Sequence, residues 1–219
     1  MALMRSSKEV PEDAVILDEL EATSYMWDLV TDWANPKDTW ALRYAPGVLG
    51  GISAVSGLLI NNHYRTKLKL GTYGYMSSVI PISVMPALMT ALFHRHVIST
   101  GMLLMKNEAC PICYEVKSAA IQLALGVGYP LVLGPASALM FASRYGTYRV
   151  PNLAEGPKVM FQFLRKMTKP LSGTLAFLTV THFVASSVLT YFEMRNNFAV
   201  RRKMIEIENR IIAEQGEEN

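Results

Sequence analysis

Residues 118–143, SAAIQLALGVGYPLVLGPASALMFAS, contain no Asp, Glu, Lys or Arg and are bracketed by Lys117 and Arg144. As a helix rising about 1.5 Å per residue the run reaches roughly 39 Å, longer than the about 30 Å of hydrocarbon in a bilayer. It is therefore read as a membrane span. Its interior carries Gly126, Gly128, Tyr129, Pro130, Gly134 and Pro135 where a plain anchor would carry Leu and Ile. Glycine admits close approach of another backbone, and proline removes a donor that neighbours must replace. Gly126, Gly128 and Gly134 are accordingly expected against another helix, with a kink near Pro130.

Three further uncharged runs, 44–62, 70–93 and 170–192, are each long enough to cross a bilayer, and half of the chain is apolar. No intervening segment is large enough to fold alone. The expected fold is all-α: a polytopic membrane protein with a four-transmembrane-helix bundle over 44–192, an N-terminal acidic amphipathic segment at 1–43, and a charged helical tail at 193–219. The net charge of +3 is small, and no continuous basic face with stacking aromatics points to nucleic acid. The opening residues lack the apolar core and cleavage site of a secretory signal, and the acids after Lys8 disfavour an Arg-rich presequence.

Residues 11–33 read as an amphipathic helix. Pro11 suits the first helical position, Glu12 and Asp13 complement the helix dipole, and Ile16, Leu20, Trp27 and Val30 recur at helical spacing. Such a stripe folds onto its own bundle or docks on a partner; the acidic face disfavours anionic lipid. In the first span, Gly47 and Gly51, and Ser53 and Gly57, are four apart and suit close helix packing. In the second, Pro81 and Pro86 should bend the helix, with Ser77, Ser78 and Ser83 bonding the carbonyls that proline leaves free.

The connection 94–117 holds both cysteines, Cys110 and Cys113, as a C-x-x-C pair. A redox dithiol would need a thioredoxin-like context that is missing; a zinc site would recruit His94 and His96; a structural disulfide or a pair of reduced thiols completes the choices. The connection after Arg144 carries Arg149, Lys158, Arg165, Lys166 and Lys169 against Glu155. Its second half suits a basic amphipathic helix with Val159, Phe161, Phe163 and Leu164 in the interface, serving as a membrane anchor or a docking surface. His182, in the middle of the fourth span, is either a packing histidine satisfied by nearby hydroxyls or a functional group at bilayer depth.

The segment Gly57-Leu58-Leu59-Ile60-Asn61-Asn62 with Tyr64-Arg65, and the series Gly126, Tyr129-Pro130, Arg144-Tyr145, Pro151 and Gly156, resemble the transmembrane protein 126 family over about 51–192. The C-x-x-C resembles one of its two vertebrate branches. The resemblance implies a non-enzymatic, multi-pass protein of the mitochondrial inner membrane, without a cofactor. Such a protein acts in assembly of respiratory complex I and contacts membrane-arm subunits and other assembly factors. The residues themselves agree in two respects. The spans are rich in Gly, Ser and Pro and show no buried ion-pump charges, and no nucleotide-binding loop, zinc-protease helix or nucleophile elbow is present. The rival reading is a small-molecule transporter or channel, with His182 lining its path. Positive loops are expected on the matrix side, with both termini and the Cys110 loop opposite.

Overall fold

The computed structural model describes residues 17–104, 110–151 and 157–217. After a short helix α1 (Glu19–Asp32) and a 3-10 turn (Pro36–Asp38), the chain forms α2 (Trp40–Lys67). There follow α3 (Tyr75–Leu103) and α4 (Pro111–Tyr145). The last helices are α5 (Pro157–Thr168) and α6 (Ser172–Glu217), joined by a 3-10 turn at Lys169–Leu171. Four helical runs are long and apolar enough to cross a membrane: Trp40–Lys67, Tyr75–Leu103, Pro111–Tyr145 and Lys158–Arg210. Among the described residues every regular element is helical. With four crossings, the α2 and α4 N-termini share one side, here the terminal side, and the α2–α3 hairpin lies on the opposite, basic side.

Helix α1 begins at Glu19, not near Pro11, because Asp18 and Glu21 form a capping box there; Pro11 to Ile16 lie outside the described residues. Its buried face is Met26 and Val30, set against Leu42 and Leu103, while Leu20 is exposed. Arg43 donates to Val30 O at 2.7 Å and Trp33 O at 3.3 Å, satisfying carbonyls at the end of α1. Trp27 donates to Thr100 Oγ1 at 3.0 Å, with Arg95 over its ring. The helix thus folds onto its own bundle.

The second and third spans are longer than the uncharged runs. His94 to Leu103 continue α3, and Pro111 to Lys117 open α4, so the connection expected over 94–117 shrinks to the residues around 104–110. Three wide π-helical turns, Ile80–Val84, His94–Ser99 and Ala124–Gly128, interrupt these helices. In the first and third, Met85 N–H reaches Ile80 O and Tyr129 N–H reaches Ala124 O, next to Pro86 and Pro130. The wider turn accommodates the donor that proline lacks. Serine does not do so as expected: Ser83 donates instead to Ala54 O of α2 at 2.6 Å, and Ser77 is exposed.

The fourth span does not end at 193. Helix α6 runs on through the tail, because residues beyond Phe192 are bonded into the bundle. Asn196 Oδ1 accepts from Ala41 N–H at 2.9 Å, Asn197 donates to Met102 O at 3.0 Å, Arg201 donates to Leu103 O, and Lys203 pairs with Asp38. The first three satisfy backbone groups that the ends of α2 and α3 leave unpaired.

Candidate functional site

The helices bury polar side chains in layers between apolar core residues such as Ile60, Ile82 and Leu178, and turn other apolar side chains outward. On α6, Leu178 is followed on the buried face by His182, Ser186, Thr190, Glu193 and Asn197, while Phe177, Val184, Val188 and Tyr191 are exposed. Hydrocarbon offers no hydrogen bonds, so polar groups at that depth must find one another.

Every spanning helix contributes to the layer around His182. The amide of Gln122 lies 2.8 Å from Nδ1, 3.1 Å from Leu49 O and 3.3 Å from Ser53 Oγ. An amide donating to Nδ1 leaves the imidazole proton on Nε2, which donates to Ser56 Oγ at 2.6 Å. Ser56 in turn donates to Ile52 O at 3.1 Å, and Ser53 shares a hydrogen bond of 3.2 Å with Thr90. His182 has 0% exposure, so no water-sized space touches it.

Toward the terminal side lies a second cluster that an inventory of uncharged runs misses. His94 Nε2 donates to Glu193 Oε2 at 2.9 Å, Ser99 donates to Glu193 Oε1 at 2.9 Å, and Ser118 Oγ is 3.3 Å from His94 Nδ1. The wide turn His94–Ser99 brings both His94 and Ser99 to the buried face. Glu193 is 0% exposed. The expectation of spans without a buried carboxyl group is therefore corrected, and Glu193 belongs to the bundle rather than to a solvated tail. The signal was present as the polar series 182, 186, 190, 193, 197, which keeps one helix face across the boundary drawn at 193.

At the basic side Arg65 is 4% exposed. Its guanidinium donates to Tyr73 O at 2.7 Å, Gly71 O at 2.8 Å, Ser78 Oγ at 2.9 Å and Gly74 O at 3.4 Å, with the Tyr75 ring 5.2 Å from its centre. The hairpin wraps around this side chain through left-handed residues Lys69 (φ 53°), Gly71 (φ 51°) and Gly74 (φ 58°). Among the described residues no carboxylate pairs with Arg65. Beside it opens a cleft of about 430 Å³ lined by Asn62, Arg65, Thr66, Lys69, Gly71 and Tyr75.

The remaining residues singled out in the sequence divide clearly. Gly57 sits against α3, where a Cβ would come within 2.8 Å of Ser83 Cα, and Gly50 does the same against Ala87 O at 2.7 Å. Gly47 and Gly51 face outward with nothing near them, so of the two pairs that spacing proposed only Ser53 with Gly57 lies on the packing face. Gly126 lies beneath the His182 ring with no room for a methyl group, and Gly134 faces Tyr64 and Ile60. Gly128 approaches only its own helix, at Leu123 O, against expectation. Pro130 is buried, Tyr129 and Pro151 are half-buried, and Arg144 is exposed. Tyr145 stacks on Tyr73 at 4.9 Å, tying the end of α4 to the hairpin. Gly156 lies outside the described residues.

Cys110 and Cys113 are joined as a disulfide at the start of α4, with Cα atoms 5.3 Å apart. The zinc arrangement with His94 and His96 does not form: His94 is engaged by Glu193, His96 is exposed, and the sulfurs are bonded to each other. Among the described residues no three His, Cys, Asp or Glu side chains gather as a metal site would require. On the basic side, Met167 of α5 is buried and Phe163 and Leu164 are half-buried, while Val159 and Phe161 are exposed. Tyr64 donates to Thr168 Oγ1 at 2.8 Å and His63 donates to Met167 O at 3.1 Å, fastening α5 to the end of α2.

A sequence model of the family described as transmembrane protein 126 matches residues 31–208, which takes in every spanning helix and each polar cluster above. The chain belongs to the transmembrane protein 126 family. It is 41% identical to transmembrane protein 126 of Drosophila melanogaster over 212 residues, 96% of this chain and 95% of the relative. To transmembrane protein 126A of Mus musculus it is 26% identical over 148 residues, 68% of this chain and 72% of the relative. The match exceeds the 51–192 over which the resemblance was legible and includes the end of α1 and much of the tail, as the bonds from Asn196, Asn197 and Arg201 into the bundle lead one to expect. No solved structure matches.

Proposed function

We propose that this transmembrane protein 126 family member is a non-catalytic scaffold of the mitochondrial inner membrane. In this role it holds membrane-arm subunits or early intermediates of respiratory complex I, together with other assembly factors, while the complex is built. The observation that carries the reading is the engagement of the polar groups. His182, Gln122, Ser53, Ser56 and Thr90 bond one another across all four spans, and the first two have essentially no accessible surface. A transport path would instead need space beside the central histidine. What the bundle offers to other molecules is its outward apolar face, including Val48, Val55 and Leu59 on α2 and Leu88 and Leu92 on α3, and the two loop-bearing ends. A rigid body with apolar flanks suits holding other helices, because lateral association in a bilayer depends on shape and packing. By the charge rule, the basic side faces the matrix.

The test is affinity purification of the tagged full-length chain in mild detergent, with identification of what accompanies it, joined to native-gel analysis after depletion. Recovery of complex I membrane-arm subunits and a fall in mature complex I are expected. Unchanged complex I on depletion would overturn the proposal.

A further inference from the structure

We infer that the cleft beside Arg65 binds the phosphate of an anionic phospholipid headgroup at the basic end of α2 and α3. The inference stands independently of the assembly role. Arg65 brings a buried cation to the wall of the cleft. Its guanidinium is held by three backbone carbonyls and the Ser78 hydroxyl, all neutral acceptors, so its charge is oriented but not compensated among the described residues. A buried charge calls for a counter-charge, and among the described residues none is supplied.

The lining supplies the rest of an anion site. Asn62, Arg65 and Thr66 follow at steps of three and one near the end of α2, which gathers them on one side, and Lys69, in the turn just past the helix, lines the same cleft. Among the described residues the side chains of Asn62, Thr66 and Lys69 have no hydrogen-bond partner, which leaves an amide, a hydroxyl and an ammonium group available. Lys69 occupies a left-handed conformation (φ 53°), a region where Gly or Asn is the usual residue. The turn therefore carries a lysine in a position that its backbone does not favour.

Position selects a lipid over free phosphate. The cleft lies where two spans leave the hydrocarbon. Leu58 and Val55, one and two turns below Asn62 on the same face of α2, and Val79, one turn below Tyr75, are apolar and at least partly exposed. A headgroup phosphate in the cleft would leave its acyl chains along these residues.

The experiment uses the full chain in mild detergent, titrated with phosphatidylglycerol, phosphatidylcholine and inorganic phosphate, with bound lipid counted by native mass spectrometry. Phosphatidylglycerol should bind at one saturable site, phosphatidylcholine more weakly, and inorganic phosphate should not displace it. Lys69→Asn removes the charge while suiting the left-handed turn, so it should melt no lower than the parent. It should weaken phosphatidylglycerol binding about five-fold, as expected for one basic residue at a membrane surface. Thr66→Val should weaken it less, and Lys67→Gln, whose residue lies outside the cleft, should leave it unchanged. Parental affinity in Lys69→Asn, an equal loss in Lys67→Gln, equal binding of phosphatidylcholine, or displacement by inorganic phosphate would each overturn the assignment.

Discussion

At the end of the bundle that carries the termini, Glu193 is enclosed by three helices and answered by His94 and Ser99. At the other end Arg65 is nearly as deeply buried, but among the described residues it is answered by carbonyls, a hydroxyl and the Tyr75 ring, all neutral, beside an open cleft. Both sites hold a potential charge away from water. One closes on itself and joins α3, α4 and α6; the other orders a hairpin and meets no counter-charge among the described residues. Burial alone therefore does not assign a role to an ionisable residue in a membrane. What matters is whether the partners that close the site are supplied from within.

The largest effect is expected from Glu193→Ala. Removing the carboxyl group leaves the buried His94 and Ser99 donors without their acceptor, and the loss should be about 2–5 kcal/mol in thermal or denaturant unfolding in detergent. A loss under about 1 kcal/mol would show that the closed cluster does not hold the helices together.

Between the two ends, the His182 layer measures how tightly the closed region is packed. Gly126→Ala drives a methyl group into the imidazole and should cost toward the upper part of about 1–3 kcal/mol. His182→Ala in that background should recover part of this, giving a favourable coupling in a double-mutant cycle. Strict additivity would mean that the ring moves aside freely.

Arg65→Met should cost less than Glu193→Ala, about 1–2 kcal/mol, because the Gly71 and Tyr73 carbonyls it frees belong to an exposed turn that water can reach. Equal losses for the two variants would erase the distinction between a closed and an open charge.

The smallest effect concerns the half-buried pair Asp38 and Lys203 at the terminal side. The hydrogen bond from Lys203 holds the Asp38 carboxyl below the usual aspartate range against desolvation, with Trp33 adding a second bond. A depressed folded value means that the stabilisation is full above about pH 4 and is lost as acid carries Asp38 through that lower value. Lys203→Gln should lower stability by under about 1 kcal/mol at neutral pH. Its melting temperature should converge with that of the parent in acid; a difference that persists there would assign the effect to packing of the lysine stem.

The four spans were legible because a bilayer imposes length and neutrality on any segment that crosses it, and 118–143 could serve no other fold so well. Their ends were not. Cutting the second span at Phe93 and the fourth at Phe192 assumed that a titratable residue marks water, whereas His94 and Glu193 mark each other. The glycines show the same limit. Gly47 with Gly51, and Gly50 with Gly57, are interleaved on one helix, and only the approach of α3 decides that the second set is buried. Gly126 and Gly128 likewise lie two apart, with the His182 ring above one and not the other.

By itself, then, the sequence determined that this chain is a helical membrane protein with four crossings, a basic side and a family membership carried by residues such as Arg65, Gly126 and Pro130. Hydrophobic length and charge placement are properties of each segment alone. Only the tertiary structure decided which polar residues are joined, that the tail from Asn196 to Lys203 belongs to the bundle, and that Arg65 is left beside a cleft. These depend on how helices are rotated against one another, and that rotation is set by packing between segments distant in the chain.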